Sequence, residues 1–197
     1  MKRAVPSLLA VLLVASLAAP APAARYAIDT SHSSVGFMVK HLVVSKVRGS
    51  FEAFSGAFVF DENDLAAWEV EATIDAASID TGNDQRDEHL RSADFFDVEK
   101  HPTLTFTAKK AVESEPGEYA LHGDLTMHGV TKPVVLALEY NGSIEDPWGG
   151  TRVGFSARGK IDRKDFGLTW NKILEGGGLT VSNEVEILIE IEGIQEK

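Results

Sequence analysis

Apolar residues recur at every second position along four separate runs of this chain. In Ser34 to Lys40, Val35, Phe37 and Val39 share one face, with Gly36, Met38 and Lys40 on the other. Glu69 to Asp75 sets Val70, Ala72 and Ile74 against Glu69, Glu71, Thr73 and Asp75. Val134 to Asn141 groups Val134, Leu136, Leu138 and Tyr140, and Val185 to Glu192 alternates Val185, Ile187, Ile189 and Ile191 with mostly glutamates. A period of two with one polar face predicts antiparallel strands that meet water on one side. Turn signals such as Glu115-Pro116-Gly117, His128-Gly129, Asn141-Gly142 and Asp146-Pro147 separate the runs. Strands joined by short turns predict an all-β sandwich or barrel. Gly36, Gly56, Gly123, Gly154 and Gly159 sit within or beside the strand patterns. Glycine there marks bulges, bends or close approach, which a closed, strongly bent sheet requires, so the barrel is favoured.

One stretch breaks the alternation. Asp84 to Ser92 is polar, charged and free of β-branched residues, which predicts a short inserted helix with Thr81 or Asn83 near its N-cap. Pro102 stops any helix and starts the next strand, Thr103 to Lys109. The turn from His128 to Pro133 reads as structural, with Pro133 as a strand's first residue. No internal repeat or linker divides the chain.

The first 23 residues have another character. Lys2 and Arg3 precede the apolar stretch Leu8 to Leu17, and Ala21-Pro22-Ala23 offers a small-x-small cleavage site. This is the layout of a cleaved secretory leader, too short in its apolar part to span a bilayer. Residues 24–197 are then one domain. Removing Lys2 and Arg3 from the 19 basic residues leaves 17 against 30 acidic ones, a formal charge of −13. So acidic a surface disfavours nucleic acid and anionic lipid headgroups. The absence of cysteine excludes disulfides, thiol catalysis and thiolate metal sites.

Candidate chemistry is sparse. His32, His41, His89, His101, His122 and His128 show no i, i+4 pair, and no two share a face of one strand segment. They are expected at the surface or in hydrogen bonds, convergence from separate strands being unreadable here. No G-x-S-x-G elbow occurs. Arg86-Asp87-Glu88-His89 packs a cation, two carboxylates and an imidazole together. It could perform acid/base work if buried, and its plainer reading is a solvated helix face that orients a loop. Gly176-Gly177-Gly178 lacks the Lys-Ser/Thr of a phosphate loop and reads as a loop at a barrel mouth. Ten phenylalanines, three tryptophans and three tyrosines are spread widely along the chain. They serve equally a packed core and the wall of an apolar tunnel, since a small barrel is wide enough for either.

Five ordered blocks carry a resemblance over Tyr26 to Glu192. They are DTSHSSVGFMVKH from Asp29, TGNDQRDEHLRSADFFDVEKHPTLTF from Thr81, GDLTMHGVTKPVVL from Gly123, RKDFGLTWN from Arg163 and VSNEVEILIEIEG from Val181. Together they resemble the YceI-like family of exported, lipocalin-like antiparallel barrels associated with polyisoprenoid binding. The resemblance implies eight strands around a long-chain isoprenoid, periplasmic storage or transport, and no catalytic residue, metal or cofactor. Family precedent also allows a homodimer. Mapped by period two, the inward candidates are Val35, Phe37, Val39, Phe95, Leu104, Phe106, Leu125, Leu136, Phe166 and Trp170, with Arg86 and His89 as polar contacts near a headgroup. Family members often carry Asp where Asn183 stands, so a contact made there survives only as a neutral hydrogen bond. The alternative of a different class is an accessory enzyme or electron-transfer partner acting on a quinone or lipid headgroup through Arg86, Asp87 and His89.

Overall fold

The structure, a computed structural model, describes residues 23–173 and 179–197. The leader expected at residues 1–23, except its last residue, and the loop expected at Gly176 to Gly178 lie outside the described residues. The strands are β1 (Ala24–Ile28), β2 (Ser34–His41), β3 (Ser45–Phe51), β4 (Phe54–Phe60), β5 (Glu69–Asp75), β6 (Ile79–Asp80), β7 (Thr103–Glu115), β8 (Glu118–Met127), β9 (Val130–Glu145), β10 (Thr151–Asp162) and β11 (Val181–Gln195). Among the described residues one α-helix, α1 (Asp84–Arg91), lies between β6 and β7.

These segments make eight barrel strands, because three of the eight are broken. β1 and β2 both pair with β11 on one side, and with β4 and β3 on the other. They are one strand interrupted at 29–33. β3 and β4 form the second, interrupted at 52–53, and β5 and β6 the third, interrupted by a short 3-10 turn. Every barrel strand is antiparallel to its neighbours in the chain, and β1 on β11 closes the ring. Closure removes the free edges of an open sheet along most of the ring, the exception being β9 before Ala137, which β10 does not reach.

Local chemistry accounts for the elements. β5 spans the predicted alternation end to end. α1 starts where its cap requires: the Asn83 side-chain oxygen accepts from Arg86 N at 2.9 Å. β9 differs from its reading, beginning at Val130 with Pro133 inside it. The β8–β9 turn is only His128-Gly129, both left-handed (φ 52° and 73°), with Met127 facing Val130. That two-residue turn matches the strand twist. Counting from it, Pro133 falls at a non-hydrogen-bonded pair with Asp124. β10 joins β9 only from Ala137 onward, so the missing N–H costs no ladder bond. The expected close approaches are present, since a Cβ on Gly123 would overlap the Phe106 ring.

The two ends of the barrel differ. At one end Phe60, Trp68, Tyr119, Tyr140 and Phe155 pack ring against ring, with Trp68 5 Å or less from the Phe60 and Tyr119 centroids (4.9 and 4.7 Å). At the other, α1, the 92–102 segment, the β8–β9 turn and the loop after β10 come together. Among the described residues no helix is long and apolar enough to cross a membrane.

An ion cluster fastens the aromatic end. The Arg152 guanidinium bonds Asp29 and Asp146, each at 2.8 Å, and also Glu192. Hydrogen bonds from His32 and then Arg152 hold the Asp29 carboxyl at about 2, well below the usual carboxylate value. A depressed folded-state pKa stabilises the fold above the unfolded value near 4, and that contribution is lost as pH falls toward the folded value. Thermal unfolding should therefore show Asp29→Asn clearly less stable than the parent at pH 6, with the gap closing toward pH 2.5. A gap that stays constant across this range would show that Asp29 acts through something other than its charge.

Candidate functional site

The barrel encloses a cavity of about 690 Å³, within the range of roughly 300–1,000 Å³ typical of ligand pockets. Both Val181 and Ile191 on β11 line it, ten strand steps apart. At ~3.3 Å per residue and a strand tilt of ~40° this is roughly 25 Å of barrel axis. The wall is built by the period-two faces. β2 contributes Val35, Phe37 and Val39; β5 contributes Val70, Ala72 and Ile74; β11 contributes Val185, Ile187, Ile189 and Ile191.

Eleven of the twelve candidate residues lie on this wall: Val35, Phe37, Val39, Phe95, Leu104, Phe106, Leu125, Leu136, Trp170, Arg86 and His89. Phe166 does not. It is 1% exposed and packs in the buried cluster beneath α1 with Phe95 and Leu168. The reason is local: Arg163–Phe166 is a 3-10 turn closed by left-handed Gly167, so strand alternation does not govern it.

Arg163, on the same turn, was missed by the sequence reading. It is 3% exposed and lines the cavity. Its Nε donates to Ser182 O at 3.0 Å, Nη1 to Leu168 O at 2.5 Å and Nη2 to Trp170 O at 2.8 Å. Burial pushes its pKa below the ordinary guanidinium value. Among the described residues no carboxylate bonds it, and its Cζ stands 6.0 Å above the Phe95 ring. Neighbouring Asn183 does not make the neutral hydrogen bond expected of it through its side-chain oxygen, which is buried and without a partner among the described residues.

Polar lining residues gather at the α1 end: His41, Thr81, Asn83, Gln85, Arg86, His89, Arg163 and Thr180. The cavity wall there carries guanidinium and imidazole groups, and no carboxylate lines it among the described residues. The Arg86 to His89 segment is occupied in holding α1. Arg86 bonds Thr81 Oγ1 and Thr81 O at 2.6 and 2.7 Å, and buried Asp87 accepts from Thr81 N at 3.0 Å. His89 sits edge-on to Phe95 and Trp170 and bonds Asp94 at 3.0 Å. The rim nearby is apolar: Val43 and Val44 are 72% and 85% exposed, and Leu42 N donates to Thr180 O. Leu42 and Val43 both take left-handed φ (52° and 65°), which costs a β-branched residue most.

A closed eight-stranded antiparallel barrel with a hollow apolar core, polar at one end, defines a small-ligand container. The signature of the YceI-like domain matches residues 26–193, and the chain belongs to that family. A UPF0312 protein of Photorhabdus laumondii is 46% identical over 182 residues, 91% of each chain. The crystal structure of the Campylobacter jejuni YceI protein superposes with a TM-score of 0.71 at 36% identity, covering 80% of this chain and 90% of that one. A polyisoprenoid binding domain from Saccharophagus degradans shares the fold at 17% identity, TM-score 0.64, covering 87% and 98%.

Proposed function

We propose that this protein holds one long-chain isoprenoid lipid, of the polyprenyl or isoprenoid-quinone type, with its tail along the barrel axis and its head at the α1 end. The observation that carries this reading is the cavity itself: about 690 Å³, apolar along its length and polar only at one end. Stripping water from an apolar chain stabilises the complex by ~25 cal/mol per Å² buried. A wall bearing Arg86, His89 and Arg163 without a carboxylate favours a head that accepts hydrogen bonds or carries negative charge. The Saccharophagus degradans neighbour, described as polyisoprenoid binding, supports the ligand class. The leader at residues 1–23 supports export, and the role is then to sequester or carry such a lipid through the periplasm.

The test is solvent extraction and mass spectrometry of what copurifies with the chain exported under its own leader. A stoichiometric polyprenyl or quinone species is expected. Empty protein that also fails to take up added isoprenoid overturns the reading.

A further inference from the structure

We propose that Asp97, His101 and His128 form a binding site for a divalent transition metal of the zinc type, outside the lipid cavity. The three offer one ligand atom each, and these atoms lie within 4.8 Å of one another. Asp97 and His101 sit on the segment between α1 and β7, one helical turn apart, with Asp97 O accepting from Lys100 N and His101 N at 2.9 and 2.8 Å. His128 comes from the β8–β9 turn, so the set is assembled only by folding. None of the three lines the cavity.

The surroundings prepare the groups as ligands. His128 Nδ1 donates to Phe166 O at 3.2 Å, which fixes the tautomer and leaves the Nε2 lone pair free, as metal-bound imidazoles require. The two imidazoles lie with centroids 4.6 Å apart, and no side-chain hydrogen bond joins the three residues to one another among the described residues. Each ring packs on a glycine: a Cβ on Gly129 would collide with the His101 ring, and one on Gly167 would crowd His128. The Asp97 carboxyl is held below its usual pKa by its hydrogen bond to Lys100, with the two histidines adding to the effect. That lysine is 71% exposed and free to turn away.

Donor chemistry selects the ion. Two imidazoles and one carboxylate suit zinc and its neighbours, leaving a fourth position to water, whereas calcium and magnesium demand more oxygen. The other candidate group, Asp29, His32 and Glu192, already has the Arg152 guanidinium bound to both carboxylates. A metal at Asp97, His101 and His128 ties the Phe95-Phe96 segment to the β8–β9 turn. Through Phe166 O it also ties in the Arg163–Phe166 turn, and so firms the α1 end of the barrel.

Chelator-stripped protein should be titrated with Zn²⁺ alone by calorimetry and by thermal unfolding. One equivalent should bind with micromolar or tighter affinity, and the unfolding temperature should rise. Co²⁺ should give the visible absorption of a tetrahedral site. His101→Ala and the gentler Asp97→Asn should each remove binding while leaving the metal-free unfolding temperature near the parent's, and His32→Ala should leave binding intact. Absence of binding at 100 µM Zn²⁺ in the folded parent, or binding that persists in His101→Ala, overturns the site.

Discussion

Phe106→Asp should lower isoprenoid retention by about a hundredfold or more. Phe106 packs against both buried clusters, one toward the aromatic end and one beneath α1, so its ring lies midway along the tunnel. A carboxylate there faces apolar side chains, while the cationic groups of the wall gather at the α1 end. Burying it against a lipid tail costs several kcal/mol, and ~2.8 kcal/mol already corresponds to a hundredfold in affinity. The same change removes a core aromatic, with a stability loss of ~3–5 kcal/mol, so a neutral companion is needed. Ala72 pairs with Phe106 and points into the same section of the cavity. Ala72→Trp adds volume and no charge, at a strain cost of ~1–3 kcal/mol. Both variants should stay folded by circular dichroism and fail to take up lipid. A folded Ala72→Trp protein that binds one equivalent as tightly as the parent would show that the tail does not run through mid-barrel.

How much of this was legible in the sequence depends on the range of the interaction. Nearest-neighbour chemistry was readable: the β5 alternation stands where the pattern put it, and of the two cap positions it offered, Thr81 or Asn83, α1 uses Asn83. The count of eight came only with the family resemblance, because the first three barrel strands are each broken and show as six short segments. Phe166 was misplaced because period two was extended across a 3-10 turn. Arg163 went unnoticed for the same reason, and no local signal marks a buried guanidinium whose partners are backbone carbonyls. Whether the interior is hollow depends on barrel radius and strand stagger, which alternation does not encode. The approach of His101 to His128 depends equally on strand register, since they stand on separate elements 27 positions apart in sequence.

Arg163→Ala should be the most destabilising single change at the α1 end of the barrel. The guanidinium is the hub of the loop after β10, holding the carbonyls of Leu168 and Trp170 from that loop and of Ser182 at the start of β11. Truncation leaves three carbonyls short of a donor, at ~1–3 kcal/mol for each that stays buried, together with the space of the lost side chain. A loss of ~4 kcal/mol is expected, and for a domain of this size that corresponds to a fall in unfolding temperature of ~8–16 °C. Arg163→Lys separates charge from geometry. An ammonium keeps the positive charge but cannot reproduce the planar fork that reaches three carbonyls at once, so it should recover only part of the loss. Trp170 and Thr180 line the cavity from the same loop, and loosening them should also shorten lipid residence time. If Arg163→Ala unfolds within ~1 kcal/mol of the parent, the loop is held by its apolar contacts through Phe166 and Leu168 and the guanidinium is dispensable to the fold.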